Sequence, residues 1–160
     1  MTSTNEYALM AANAYLQPGV VSALNALPIP EGWTLIEDRV SATGFHARVF
    51  QRGSEVVIAY TGTTPGAIDW LTGNIPAGGG IASPQVIEAA LLYQDLKSRL
   101  PDTTSFSFTG HSLGGGLASL MAVFFDQPAT IFDPAPFEKS ADSTTVVIAL
   151  SERLISLESV

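Results

Sequence analysis

The sequence Gly-His-Ser-Leu-Gly at residues 110–114 constrains the fold of this chain more than any other feature. It follows a short apolar run at 106–109 and precedes a segment of small and apolar residues at 113–125. A serine on a sharp turn from a strand into a helix needs residues without a Cβ two positions to either side, because strand and helix pass very close together there. The pattern therefore predicts a nucleophile elbow, with Ser112 as the candidate nucleophile.

The composition excludes several classes of function. Hydrophobic residues make up 46% and charged residues 14% of the 160 positions, which suits a sheet covered on both faces or an exposed apolar patch. Fifteen acidic against seven basic residues give a net charge of −8, so we expect no nucleic-acid partner. There is no cysteine and there are two histidines, and we therefore expect no disulfide, no metal site and no cofactor.

The N-terminus resembles neither a signal peptide nor a membrane anchor. Residues 1–6 are polar and lack a basic region, and no apolar run reaches the ~18 residues that cross a bilayer. We expect no stable membrane insertion, and either a cytoplasmic location or export without an N-terminal signal.

Predicted helices and strands alternate along the sequence. A capping box at 3–6 starts one helix, Ser83 and Pro84 start another that runs to about Leu100, and 113–125 is a third. Strands are predicted at 33–38, 44–51, 55–60, 106–109 and 128–132, with a hairpin turn at 52–54 and a further candidate at 144–150. This order predicts the α/β class, with a mostly parallel sheet and flanking helices. Together with the nucleophile elbow it indicates an α/β-hydrolase-type fold, and we expect one domain over residues 1–160 that is truncated at its C-terminal side.

Two motifs together resemble the class 3 lipases, the fungal triacylglycerol lipase group. The sequence YTGTT at 60–64, followed by IDWLT at 68–72, is similar to the segment that contributes the oxyanion hole and the lid in that family. GHSLGGGLA at 110–118 is close to the family's nucleophile elbow, and the resemblance covers residues 5–135. We interpret the glycine-rich residues 73–82 as a mobile cover over the active crevice, with a plain linker as the alternative.

The resemblance implies an activity and roles for individual residues. It implies hydrolysis of carboxyl esters of lipids, in which Thr63 places its backbone N–H and hydroxyl on the developing oxyanion and Leu113 gives the second N–H. An ordinary strand-end turn is the alternative for Thr63. Thr61 stands where the family has an arginine, which removes a scaffold salt bridge more than any chemistry.

Asp133 is the candidate acid of a catalytic triad, which needs an acid and then a histidine after the serine. It ends the strand candidate at 128–132, and the sequence FDPA at 132–135 resembles the stretch that carries the acid in pancreatic-type lipases. Class 3 lipases take the acid from a later strand instead. The alternative is that Asp133 caps a turn opened by Pro134.

The sequence does not supply an obvious base, because no histidine follows residue 112. We expect His111 to be a packed or hydrogen-bonded scaffold residue, and His46 to be a surface histidine on the strand face that it shares with Arg48. Three explanations remain open: a truncated domain whose histidine lies beyond Val160, a shortened and degenerate member of the family, or a second chain that completes the site.

Two functions fit these observations. The first is a lipid ester hydrolase that uses Ser112, although this 160-residue form should have low or no activity for lack of a triad histidine. The second is a non-catalytic hydrolase-like domain that binds a lipid, an acyl chain or a protein partner through a crevice beneath residues 64–83.

Overall fold

The computed structural model describes residues 1–16, 27–62 and 84–134. Within them lie three helices and five strands, in the order α1 (Thr4–Asn13), β1 (Thr34–Val40), β2 (His46–Arg52), β3 (Glu55–Tyr60), α2 (Pro84–Arg99), β4 (Ser105–His111), α3 (Leu113–Phe125) and β5 (Ala129–Phe132). Every element that the sequence predicts inside these ranges is present. The strand candidate at 144–150, the glycine-rich segment at 73–82 and the helix N-cap Ser83 lie outside the described residues.

The five strands form one mixed sheet in the order β1-β2-β3-β4-β5. The first two pairs are antiparallel, and the predicted hairpin joins β2 to β3 through Gly53, whose φ is +58°. The last two pairs are parallel, and α2 and α3 provide the crossovers that parallel neighbours require. The α/β class is therefore confirmed, and the carboxyl ends of the parallel strands β3, β4 and β5 share one edge.

Helices cover both faces of this sheet. On one face α2 and α3 pack on alternate residues of β3 and β4, including Tyr60 and Phe108. On the other face α1 packs on the intervening residues, including Val57 and Ala59. Burial on both faces explains why β3 is apolar throughout instead of alternating. None of the helices in the described ranges is long and apolar enough to span a bilayer.

The predicted capping box begins α1 and also connects it to the sheet. Ser3 Oγ accepts the N–H of Glu6, and the Glu6 carboxylate accepts the N–H of Ser3 at 2.7 Å. Glu6 also accepts a hydrogen bond from Trp33 Nε1 at 3.0 Å and pairs with Arg52. The backbone bond from Ser3, followed by the bond from Trp33, lowers the pKa of Glu6 from 4.5 to about 2.

Glu6→Gln should make the protein less sensitive to acid. A carboxylate with a lowered folded pKa stabilises the fold above its unfolded pKa, and this contribution is lost as the pH falls from 4.5 towards 2. Because the Glu6 carboxylate is near solvent, we expect the free energy of unfolding of Glu6→Gln at neutral pH to be at most about 1 kcal/mol below that of the wild type. Urea unfolding at several pH values measures the slope, with the exposed Glu31→Gln as control. A variant as acid-sensitive as the wild type contradicts the prediction.

Tyr60 carries a buried hydroxyl that has no hydrogen-bond partner among the described residues. Its ring is fully buried and lies 6.1 Å from the rings of Phe45 and Phe108. This burial raises the pKa of the Tyr60 phenol well above its ordinary value. A buried hydroxyl without a partner costs its desolvation energy and returns no bond.

Tyr60→Phe should therefore leave the free energy of unfolding unchanged or raise it by up to about 1 kcal/mol. Tyr7→Phe is the contrasting variant, because the Tyr7 hydroxyl donates to Ser107 Oγ at 2.9 Å. Its loss should cost about 1 kcal/mol in the same urea titration. A marked destabilisation by Tyr60→Phe would mean that this hydroxyl does have a partner.

Candidate active site

Ser112 occupies the turn between β4 and α3, as the motif predicts. Its φ of 56° and ψ of −123° lie in a region that residues other than glycine rarely adopt, at a cost of about 1–3 kcal/mol. The N–H of Ser112 donates to the Phe132 carbonyl on β5 at 3.1 Å, and its own carbonyl accepts the N–H of Gly116 at 3.1 Å. The neighbouring strand and the first turn of α3 therefore hold the serine in this strained conformation.

The glycines that flank the serine lie where backbones meet. A Cβ on Gly110 would overlap Gly114 and lie 2.8 Å from the nitrogen of Gly115, so Gly110 makes room for the start of α3. A Cβ on Gly114 would overlap the Tyr60 carbonyl oxygen and lie 2.7 Å from its carbonyl carbon. Gly110 thus allows the predicted approach of strand and helix, whereas Gly114 allows a second approach, between α3 and the end of β3.

Leu113 is the first residue of α3. Its N–H is one of the helix-start donors that have no partner within the helix, and it lies at the positive end of the helix dipole. It directly follows Ser112, which is the position of an oxyanion donor in an elbow of this kind. The role of Leu113 stays a prediction.

The other candidate oxyanion donor, Thr63, lies outside the described residues. The chain is described up to Gly62, just beyond the end of β3. Thr61 is buried there: its N–H donates to the His46 carbonyl at 3.0 Å, and its Oγ1 donates to the Ala14 carbonyl at 2.8 Å. Thr61 therefore joins the end of β3 to the end of α1 with neutral hydrogen bonds.

Asp133 follows β5 directly, beside the elbow. Its side chain is exposed and its φ is +43°. The next residue, Pro134, lies close to the start of α3, since a Cβ on Gly115 would be 3.2 Å from Pro134 Cα. The left-handed backbone agrees with a turn, and the place beside Ser112 at the carboxyl edge of the sheet agrees with an acid. Both interpretations of Asp133 stay predictions.

His111 is hydrogen-bonded to the residue that follows the first helix. Its Nδ1 lies 3.1 Å from Tyr15 Oη, and Tyr15 Oη donates to the His111 carbonyl at 3.2 Å. The two rings meet edge to face, with their centroids 6.1 Å apart. His111 is therefore bonded to the scaffold as expected, although its side chain is exposed.

The expectation of a surface histidine at position 46 is wrong, because the side chain is only 3% exposed. His46 Nε2 lies 2.7 Å from Asp38 on β1, and Asp38 also accepts a bond from Arg48 at 2.7 Å. Arg48 in turn donates to Asn13 Oδ1 on α1 at 2.9 Å. The first helix therefore covers this face of β2, and β3 separates His46 from the strand that carries the elbow.

Sequence reasoning did not assign a role to Tyr15 at the site. Its helical spacing with Met10, Ala11 and Ala14 was the available signal, since these residues share one face of the first helix.

Across the described parts of the chain, no histidine is hydrogen-bonded to the Ser112 side chain, and no group of three His, Cys, Asp or Glu residues could hold a metal ion.

Comparisons with known proteins agree on the kind of domain. The sequence profile of a family described as "Phospholipase-like: Tle-like phospholipase domain" matches residues 6–150. No curated protein matches the sequence. Among solved structures, a lipase from Rhizopus microsporus var. chinensis is similar with a TM-score of 0.51 and 20% identity, over 81% of this chain and 55% of that one.

Two other fungal lipases give similar values. Lip2 lipase from Yarrowia lipolytica matches with a TM-score of 0.52 and 17% identity, over 81% of this chain and 56% of the lipase. A lipase propeptide complex from Rhizomucor miehei matches with a TM-score of 0.53 and 15% identity, over 90% and 55%. The resemblance to lipases is thereby confirmed for the fold, and the chain spans about half the length of the lipases it matches.

Gly114→Ala should destabilise the protein by about 1–3 kcal/mol, because the added methyl overlaps the Tyr60 carbonyl. The matched control is Gly115→Ala in the same helical turn, where the nearest atoms are 3.2 Å from the added Cβ. Both variants gain the same helix propensity, so their difference in urea unfolding reports how much closer the contact at Gly114 is than the contact at Gly115. Equal stability of the two variants contradicts the geometry described for the elbow.

Proposed function

Because the chain belongs to the family of Tle-like phospholipase domains, we propose that it hydrolyses carboxyl esters of lipids with Ser112 as the nucleophile. The observation that carries this proposal is the backbone conformation of Ser112, which has a φ of 56°. Ser112 lies at the turn between a buried parallel strand and a helix. A strained residue at the carboxyl edge of a parallel sheet is typical of a reactive side chain.

In the proposed reaction, Ser112 Oγ attacks the carbonyl carbon of the ester while its proton passes to a general base. The alcohol then leaves with that proton, and water hydrolyses the acyl-enzyme by the reverse sequence of proton transfers. Among the described residues neither histidine is hydrogen-bonded to the Ser112 side chain: His46 lies on β2, separated from β4 by β3, and the His111 ring is hydrogen-bonded to Tyr15. We therefore assign the base to a histidine of a further segment or of a second chain, with Asp133 or a later acid to orient it.

The developing oxyanion would receive two backbone N–H groups. One is the N–H of Leu113 at the start of α3, and the other is the N–H of Thr63, one residue beyond Gly62. Donors that are fixed before the reaction stabilise the transition state without reorganisation, and loss of one typically costs ~10²- to 10³-fold in turnover. In this proposal the two donors follow the ends of β3 and β4, so these strand ends have to lie close together.

We propose a lipid ester presented at an interface as the substrate. The family description names phospholipases, and the similar solved structures are lipases. With a net charge of −8, the protein gains no general electrostatic attraction to an anionic membrane, so apolar contacts would have to supply most of the binding.

The second candidate is a domain that binds lipid or a protein partner without catalysis. It is favoured by the lack, among the described residues, of a histidine bonded to Ser112.

In a protein that includes the general base, a long-chain fluorophosphonate should label Ser112 and no other residue. Intact-mass and peptide mass spectrometry detect the adduct, and Ser112→Ala should abolish it. Ser119→Ala is the matched control on the same helix, because the Ser119 hydroxyl is bonded to the Gly115 carbonyl at 2.9 Å and should not react. Without a triad histidine, ester turnover should be roughly 10⁶-fold below that of a complete triad.

Two outcomes would contradict this proposal. An adduct that survives in Ser112→Ala assigns the nucleophile to another residue. Lipid binding by the wild type with no labelling after prolonged exposure favours the non-catalytic domain.

A further inference from the structure

Tyr15 lies between the end of β3 and the end of β4. On one side its phenol oxygen is within hydrogen-bonding distance of the ring and the carbonyl of His111, the residue before Ser112. On the other side its ring lies against Gly62, because a Cβ on Gly62 would overlap Tyr15 Oη and lie 3.2 Å from Cζ. One phenol therefore contacts the ends of both β3 and β4.

The Tyr15 hydroxyl makes its hydrogen bonds to His111 and lies in contact with Gly62. Partial burial raises the pKa of Tyr15, and a hydrogen bond from the backbone N–H of Gly62 opposes that rise. A phenol can accept one hydrogen bond and donate another. The phenol oxygen is in contact with Gly62 on one side and donates its proton to the His111 carbonyl on the other, so it touches both strand ends.

The segment that carries Tyr15 is itself fixed to the sheet. The Ala14 carbonyl accepts the hydroxyl of Thr61 at 2.8 Å, and the Asn13 side chain accepts from Arg48 and donates to the Leu27 carbonyl at 2.7 Å. The N–H of Tyr15 bonds back to the Ala12 carbonyl at 3.2 Å. Because its backbone is held on all these sides, the phenol has a defined place between Gly62 and His111.

We propose that Tyr15 is a positioning residue for ester hydrolysis, because its hydroxyl fixes the end of β3 relative to the serine elbow and thereby sets the separation of the two oxyanion donors. This inference rests on the proposed function. A donor contributes fully only at about 2.7–3.1 Å from the oxyanion, and a displacement of 1 Å can cost about 10²-fold in rate.

Tyr7, which lies in α1, provides the matched comparison for Tyr15, which follows that helix. Tyr7 also donates its hydroxyl to β4, to Ser107 Oγ at 2.9 Å, but at a point four residues before His111. Each hydroxyl connects the N-terminal segment to β4, Tyr7 from within α1 and Tyr15 from just after it, and each substitution removes only a hydroxyl group. The two positions differ in that the Tyr15 hydroxyl also contacts Gly62.

The test compares Tyr15→Phe with Tyr7→Phe in two measurements. The first is the rate constant for labelling of Ser112 by a long-chain fluorophosphonate, which should fall about 10- to 100-fold in Tyr15→Phe and stay within about twofold of the wild type in Tyr7→Phe. The second is the NMR spectrum of the backbone amides and of the His111 ring nitrogens. Tyr15→Phe should shift the signals of Gly62, Ser112 and His111, whereas Tyr7→Phe should leave them in place.

Equal labelling rates for the two variants overturn the inference. If the wild type does not react although its general base is present, the proposed function fails, and the NMR measurement alone then decides the role of Tyr15. In that case, unchanged Gly62 and Ser112 signals in Tyr15→Phe overturn it, and changes confined to Tyr15→Phe support it. Gly62→Ala, whose added Cβ would overlap Tyr15 Oη and lie 2.9 Å from the His111 carbonyl oxygen, should also lower the labelling rate, and Tyr15→Phe separates loss of the hydroxyl from this direct displacement of the elbow.

Discussion

The candidate site depends on a contact between backbones that is closer than any side chain allows. The first turn of α3 lies against both the strand before it and the end of β3, and Gly110 and Gly114 lie at the two contacts. This approach leaves Ser112 in a left-handed conformation, which the Phe132 carbonyl holds by a hydrogen bond. Three parallel strands therefore meet at one serine, and the strain is offset by packing of the whole parallel half of the sheet.

The first helix connects the antiparallel half of the sheet to this edge. At its start, Glu6 binds Trp33 and Arg52 beside the hairpin strands. Its far end and the residues after it bind β2 and the ends of β3 and β4 through polar groups. These bonds have directions and fixed lengths, whereas apolar burial is non-directional. A helix held in this way can define the relative position of strand ends more closely than apolar packing alone.

The sequence predicted the elements well because their signals are local: capping boxes, apolar runs and glycines at fixed spacing. It predicted the backbone turn at Ser112 for the same reason. The burial of His46 could not be predicted from its strand alone, because it depends on α1 covering that face from 30 residues earlier in the chain. The strand gave only a partial clue: Phe50 lies on the same face of β2 as His46, and an apolar residue there indicates that this face is covered. The place of Tyr15 depends on two contacts that are distant in sequence, which no local pattern encodes.

The cost of the elbow bears on which of the two functions it serves. A domain that only bound a ligand would be more stable with a relaxed turn at residue 112 and with alanine where no contact forbids it. In this chain the strained residue is instead a serine, at the carboxyl edge of parallel strands and next to a helix start that can stabilise negative charge. Strain, hydroxyl and the positive end of a helix dipole coincide at one residue, Ser112. That coincidence is expected of a nucleophile and has no purpose in a surface that merely binds, which is why we favour hydrolysis over binding alone.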